Sequence, residues 1–180
     1  PLCDAFIKAA VGIGIPENKD YNGGIQEGVS YVQRTTKGRL RVSAAKAFLN
    51  PAKKRRNLSI RTNAHVMLIE LEGKRATAVR YAVGGRHGVE HVVEARREII
   101  LSAGTINSPH ILQLSGIGPK ELLDDLGIEV KHHLPGVGEN LRDHYAPRFT
   151  ARAKNISTIN ELSRGPRLWA EIGKYLLGKQ

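Results

Sequence analysis

The stretch that decides the fold covers residues 97–119 and reads REIILSAGTINSPHILQLSGIGP. The apolar residues 99–101 predict a short strand, and the small residues Ser102-Ala103-Gly104 let the backbone that follows approach a ligand closely. Ser108-Pro109 is typical of an N-cap followed by a first helical residue, and Gly116 is typical of a helix end. A strand, a small-residue turn and a short helix can hold a nucleotide cofactor at the strand's carboxyl end. The same pattern also fits a plain strand-to-helix connection, so both interpretations stay open.

The residues before this stretch predict an antiparallel meander that leads into it. Strand-like segments cover residues 66–71, 76–83 and 89–95, and their turns contain Gly73 and Gly84-Gly85. Outside the meander we expect helices at 2–13, 44–50, 122–126 and 168–177, and Ser43 would cap the second of these while Pro51 stops it. We expect further strands at 29–35, 57–62, 130–134 and 148–153, and a turn at Gly38-Arg39. The fold class is therefore mixed α/β.

Length and composition limit the class of protein. The 180 residues suggest one domain, or one and part of another, and 41% hydrophobic with 25% charged residues is ordinary for a globular chain. No apolar run approaches the roughly 18 residues of a membrane span, so we expect no transmembrane segment. The chain has no initiating Met and no visible signal peptide, and we expect it to be an internal piece of a longer chain. Cys3 is the only cysteine, which excludes intramolecular disulfides and cysteine-based metal sites.

The net charge of +11 raises the question of a nucleic-acid partner. The basic residues are dispersed, except for the cluster Lys53-Lys54-Arg55-Arg56, and three Phe with one Trp give little stacking surface. The composition favours a solvated turn at this cluster over an anion-binding patch. We therefore expect no nucleic-acid partner.

Candidates for catalytic chemistry are few. The seven histidines show no metal-ligand spacing, no Gly-x-Ser-x-Gly is present, and Gly12-Ile13-Gly14 follows a helix and lacks a third glycine. Asn140 and His144 could form an i,i+4 hydrogen bond that fixes a loop near a ligand, although structural capping explains them as well. The residues alone indicate a nucleotide-type α/β domain with no catalytic group and no metal site.

Residues 104–118 resemble the second signature of the glucose–methanol–choline (GMC) family of FAD-dependent oxidoreductases. That signature is a small residue pair, two spacers, Ser-Pro, an apolar pair and Ser-Gly-apolar-Gly, and this stretch fits it throughout. Further blocks that resemble the family, and its choline and alcohol dehydrogenase branch in particular, lie at residues 20–28, 41–49, 57–60, 134–144 and 160–177. The resemblance therefore covers nearly the whole chain.

The resemblance implies an FAD-binding domain of the glutathione-reductase type and a substrate domain on an antiparallel sheet. Residues 1–146 would form the central part of the first, with residues 1–50 partly at the domain boundary, and residues 147–180 would begin the second. The cofactor-binding residues it implies are Val66, through its backbone at the adenine end of FAD, and the turn Ser102, Ala103 and Gly104. It places Asn140 and His144 less specifically, as loop residues near the cofactor.

The activity that the resemblance implies is oxidation of a small-molecule alcohol, choline or another primary alcohol, to an aldehyde by hydride transfer to FAD, with a quinone or another electron acceptor. The family's Gly-x-Gly-x-x-Gly, its ribose-binding acid and its catalytic histidine are absent from these residues. We therefore expect the isolated 180 residues neither to hold FAD tightly nor to turn over. The alternatives are an inactive remnant that serves as a binding or structural module and, with less support, a basic nucleic-acid-binding protein.

Overall fold

The computed structural model describes residues 2–38 and 40–178 and divides the chain into two compact units, Pro1–Ala64 and His65–Gln180. In the first unit, helix α1 (Leu2–Gly12) confirms the helix expected at 2–13. Its residues Ile7 and Ala10 form a small buried cluster with Val29. The core of this unit is therefore small, and the loop that carries Val29 is held largely by polar contacts.

Asn18 organises this loop. Its Nδ2 donates hydrogen bonds to the carbonyl oxygens of Ile25 (2.7 Å) and Glu27 (3.1 Å), and Val29 pairs with Glu17 in a single parallel bridge. The strand expected at 29–35 is wrong, because side-chain hydrogen bonds replace a β-ladder here. Among the described residues nearby, two short strands form, β1 (Thr36–Lys37) and β2 (Leu40–Arg41), which pair antiparallel. Gly38 forms the turn expected between them, and Arg39 lies outside the described residues.

A π-helical turn (Ala45–Leu49) continues into the short helix α2 (Asn50–Ala52). The Ser43 Oγ accepts a hydrogen bond from the Lys46 N–H at 3.2 Å, as expected for an N-cap. Pro51 lies inside α2 and does not stop the helix at Asn50, because the helical stretch that includes the π-helical turn ends at Ala52. Residues 57–62 form no strand; the next strand begins at Ala64.

The second unit is built on the predicted meander, which is confirmed. Strands β3 (Ala64–Glu72), β4 (Arg75–Val83) and β5 (Val89–Glu94) form one sheet in that order, and β4 pairs antiparallel with β5. Arg80 links all three strands, since its guanidinium lies 2.7 Å from a Glu70 carboxylate oxygen and 3.6 Å from one of Glu90. The hydrogen bonds that Arg80 donates to the Glu70 carboxylate raise the pKa of Arg80, and the Glu90 charge adds to the effect.

The strand expected at residues 99–101, after the meander, is wrong, and residues 98–101 form no strand. They have no ladder partner within the described part of the chain, and Ile100 is 78% exposed. Hydrophobic sequence favours an extended strand, but a ladder also needs a neighbouring strand to pair with. The residues that precede the small-residue turn, 98–101, are therefore present as a segment without strand pairing.

Helix α3 (Gly104–Leu114) follows, and then a short crossover: β6 (Ile117–Gly118), helix α4 (Lys120–Asp125) and β7 (His132–His133), with β6 and β7 parallel. These elements confirm the helix near 122–126 and the strand within 130–134. Leu123 of α4 is fully buried, and Ile111 of α3 and Val137 after β7 are also buried. This crossover therefore packs directly against α3.

The last elements are helices α5 (Ile159–Leu162) and α6 (Gly165–Leu176). The Thr158 and Glu161 side chains form a reciprocal capping box at the start of α5, and α6 confirms the helix expected at 168–177. The strand expected at 148–153 is wrong: these residues are irregular, and Phe149 is 94% exposed. In the described ranges no helix is both long enough and apolar enough to cross a bilayer.

Candidate functional site

The small-residue turn leads directly into α3. Gly104 has a φ of +88°, which favours glycine, and a Cβ there would meet no heavy atom of the described residues within 4 Å. The N-cap residue is Ala103, and within the described chain no side chain caps this end of α3. The first N–H groups of a helix have no partners inside the helix. The turn therefore combines open space with backbone donors, an arrangement that suits a phosphate-bearing cofactor such as FAD.

The sequence had suggested that the helix starts at Ser108-Pro109, and this is wrong. Helix α3 begins four residues earlier, and Pro109 lies inside it. The Ser108 Oγ instead accepts a hydrogen bond from the Ala103 N–H at 3.1 Å. Ser108 lies inside the helix and bonds back to the small-residue turn that precedes it. The Ser-Pro pair therefore stabilises this turn without capping the helix.

An open groove lies beside α3. It has a volume of about 670 Å³ and runs between the helix and the loop 136–142. Thr105, Ser108 and Gln113 line its helix side, and Gly138 and Asn140 line its loop side. Asn140 has a φ of +58°, a conformation that asparagine tolerates better than most residues. The groove thus joins the small-residue turn's helix to the loop that carries Asn140.

The other end of α3 is anchored to strand β3. The buried Ser115 Oγ accepts a hydrogen bond from the Ile69 N–H at 2.8 Å and donates one to the Ile111 carbonyl at 2.6 Å. Gly116 follows with a φ of +82°, and a Cβ there would lie 2.4 Å from the Glu129 carbonyl oxygen. Close backbone packing therefore fixes the direction of α3 relative to the sheet.

Val66 lies half-buried in β3, three residues before Ile69. No hydrogen bond among the described residues joins it to the Ser102–Gly104 turn, whose helix meets β3 at its far end through Ser115. The roles of Val66, Ser102, Ala103 and Gly104 in holding a cofactor stay predictions.

Asn140 and His144 do not form the suggested pair. Residues 141–150 have no helical turn, and in the described ranges no hydrogen bond joins the two side chains. The exposed His144 instead donates its backbone N–H to the Asp143 Oδ1 at 2.7 Å. An i,i+4 pair needs helical backbone, which the chain lacks at this point.

Two histidines have structural roles that the sequence did not reveal. The His133 Nδ1 accepts a hydrogen bond from the Lys120 N–H at 3.0 Å, at the start of α4, and His91 stacks on Tyr81 with ring centroids 5.5 Å apart. Tyr81 and His91 are directly opposite each other in the β4–β5 pair, and Lys120 and His133 are 13 positions apart, so the spacing between histidines indicated neither contact. Across residues 2–38 and 40–178, no group of three or more His, Cys, Asp or Glu is placed to hold a metal ion.

The meander, the glycine turn before α3 and the parallel β6–β7 pair make a fold of mixed α/β class whose largest sheet is antiparallel. The model of the GMC oxidoreductase family matches residues 1–146, and the chain belongs to this family. The fold class and the family resemblance inferred from the sequence are both confirmed.

Curated relatives include two proteins named oxygen-dependent choline dehydrogenase. The one from Chromohalobacter salexigens is 51% identical over 146 residues, 80% of this chain and 25% of its own length. The one from Photobacterium profundum is 43% identical over 160 residues, 89% of this chain and 28% of its own length. Among solved structures, an FAD-dependent oxidoreductase from Chaetomium thermophilum is 33% identical with a TM-score of 0.85, and the match covers 100% of this chain and 32% of that one. The chain thus spans about a quarter to a third of the length of these proteins.

Proposed function

We propose that this chain is part of an FAD-dependent oxidoreductase that oxidises the CH–OH group of an alcohol, choline or another primary alcohol, to an aldehyde. The observation that carries the proposal is the turn at residues 102–104, which offers open space at Gly104 in front of a helix whose start no described side chain caps. Membership of the GMC family and the names of the relatives support the choice of FAD and of an alcohol.

When bound, FAD supplies the acceptor for the hydride removed from the alcohol carbon. The residues of this chain bind and orient it. Ser102 and Ala103 keep side-chain bulk away from the cofactor, Gly104 supplies the left-handed backbone of the turn, and Val66 offers its backbone at the adenine end. Each is a binding residue, and we assign no proton or hydride transfer to any group in the chain. The electron acceptor is a quinone or another oxidant.

We further propose that the isolated 180 residues neither hold FAD tightly nor turn over. The chain exposes 16009 Å² of surface, whereas two compact units of these sizes would together expose about 10,000 Å². Large apolar side chains contribute to this excess, among them Ile100 and Phe149. In a whole GMC protein, polypeptide from the rest of the enzyme would cover these side chains and complete the cofactor site.

A chimera tests the alcohol oxidoreductase proposal. The part of this chain that matches the Chromohalobacter salexigens oxygen-dependent choline dehydrogenase at 51% identity over 146 residues replaces the corresponding segment of that enzyme. We expect the purified chimera to carry stoichiometric flavin and to oxidise choline. A chimera that folds, as judged by circular dichroism and a cooperative thermal transition, but holds no flavin would contradict the proposal. It would favour the alternative of an inactive remnant.

The isolated chain provides the second test. Purified alone and incubated with FAD, the 180 residues should leave the flavin fluorescence unquenched at micromolar concentrations. A yellow preparation with one flavin per chain would contradict the statement that the segment is insufficient.

A further inference from the structure

We propose that the groove beside helix α3 takes part of the bound FAD and that Gln113 is a positioning residue that sets its width by holding the loop 136–142 against the helix. This role rests on the proposed function, because the turn at residues 102–104 and the groove lie along the same helix. Gln113 lies near the carboxyl end of α3, and its Nε2 donates a hydrogen bond to the Val137 carbonyl oxygen at 3.2 Å. Val137 is buried, so this contact fixes the loop at a point where it cannot easily shift.

Two glycines make room for this side chain. A Cβ at Gly138 would lie 2.8 Å from the Gln113 Nε2, and a Cβ at Gly118 would lie 3.2 Å from its Cγ. Gly138 also has a φ of +90°, so glycine is favoured there for two reasons. One side chain of α3 therefore fits between two close backbone segments, β6 and the loop.

The backbone around the loop supports the same arrangement. Leu134 donates its N–H to the Gly118 carbonyl at 2.8 Å, and Val137 donates its N–H to the Leu134 carbonyl at 3.1 Å. These bonds connect the base of the loop to β6. Gln113 is the side chain of α3 that bonds to the buried part of the loop, so it sets the distance between α3 and Asn140 across the groove.

Three variants separate the hydrogen bond from the bulk of the side chain. Gln113→Met keeps the length and removes the donor. Gln113→Glu keeps the shape but places a carboxylate, which only accepts hydrogen bonds, against the Val137 carbonyl. When this Glu is protonated its O–H can donate to the same carbonyl, so acid should restore the contact. Gly136→Ala is the control in the same loop, since a Cβ there would meet no described atom within 4 Å.

The first readout uses the whole 180-residue chain without flavin. Near neutral pH we expect hydrogen exchange of the peptide that covers residues 134–142 to rise about fivefold to tenfold in Gln113→Met and Gln113→Glu, the effect of losing one hydrogen bond. Peptides from β4 and β5 and the Gly136→Ala chain should exchange as in the wild type. Unchanged hydrogen exchange of the loop in both variants would overturn the proposed role of Gln113.

The second readout is the dissociation constant for FAD of the chimera described above. We expect it to weaken about fivefold to tenfold in both variants near pH 7, and the Gln113→Glu defect to shrink near pH 5 relative to wild type at the same pH, while the Gln113→Met defect persists. A loosened loop with FAD affinity within twofold of wild type would reduce Gln113 to a structural residue and overturn its positioning role. A folded wild-type chimera that binds no FAD would instead overturn the proposed function, and this role with it.

Discussion

The Ser115 hydroxyl and the Ile69 amide, separated by 46 residues in sequence, form a buried hydrogen bond of 2.8 Å that joins the end of α3 to strand β3. The same hydroxyl donates to the Ile111 carbonyl, so it satisfies two backbone groups at once. Ser115 is 7% exposed, and water cannot readily replace it. The serine of the family signature therefore connects helix α3 to the meander.

Replacing this serine should be costly. In Ser115→Ala the Ile69 N–H loses its partner in a buried position, and we expect the second unit to lose about 1–3 kcal/mol of stability. Urea unfolding measures the loss of stability, and hydrogen exchange of the Ile69 amide reports the loss of its partner. Ser163→Ala is the control, because the Ser163 hydroxyl is exposed and bonds only to the Asn160 carbonyl, at 3.4 Å. Equal stability of the two variants would show that the Ser115 contact contributes little.

Alanine substitutions at Gly116 and Gly127 distinguish the cost of a strained backbone from the cost of crowding by neighbouring atoms. Both have positive φ, +82° and +67°, so alanine at either position should cost about 1–2 kcal/mol for the left-handed backbone alone. A Cβ at Gly116 would also meet the Glu129 carbonyl at 2.4 Å, whereas one at Gly127 would meet no described atom within 4 Å. We expect Gly116→Ala to shift the urea midpoint much further than Gly127→Ala. Similar shifts would mean that the segment that carries Glu129 moves away without cost.

Gly104 and Gly127 give a matched test of the cofactor turn. Each has a positive φ, and each would place a Cβ in space that no described atom occupies. Alanine at either site should therefore destabilise the chimera by a similar amount. If FAD lies against the turn, Gly104→Ala should weaken FAD binding at least tenfold and Gly127→Ala should leave it unchanged. Equal FAD dissociation constants, obtained by fluorescence titration, would remove Gly104 from the cofactor site.

Tyr31 and Asp4 predict a pH dependence in the first unit. The Tyr31 hydroxyl donates a hydrogen bond to the Asp4 carboxylate, which raises the pKa of Tyr31 to about 12 and lowers the pKa of Asp4. The raised pKa of Tyr31 means that its stabilisation is present below about pH 10 and is lost as the pH rises through about 12. The lowered pKa of Asp4 means that its stabilisation is present above about pH 4 and is lost as the pH falls further.

Stability measurements with Tyr31→Phe test this pair. Between about pH 5 and 9 the variant should be less stable than the wild type in the first unit, as reported by hydrogen exchange of α1, and the difference should shrink as the pH falls below about 4. In an ultraviolet titration, Asp4→Asn should return the Tyr31 transition toward about pH 10. A Tyr31 transition unaffected by Asp4→Asn would show that the contact is not formed in solution.

Local pattern predicted the elements that pair or pack with near neighbours in sequence. The meander follows from period-two alternation and glycine turns, α1 and α6 follow from helical spacing, and α4 ends before Gly127 as expected. Strand pairing through a two-residue turn such as Gly73-Lys74 is local, so the sequence carries enough information to specify it. The small residues 102–104 were likewise visible as a turn with space for a ligand.

The tertiary structure decided what depends on distant partners. Residues 98–101 have strand composition but no strand beside them among the described residues, and the start of α3 at Gly104 depends on the Ser108 bond to Ala103. The contacts of Ser115 with Ile69 and of Gln113 with Val137 join residues 24 to 46 positions apart. Composition and spacing describe each residue's own preference, whereas these contacts exist only once packing brings two segments together. The sequence by itself therefore determined the family and the elements that pair or pack with near neighbours, and the folded chain decided which other segments form strands and how α3, its turn and its groove are held.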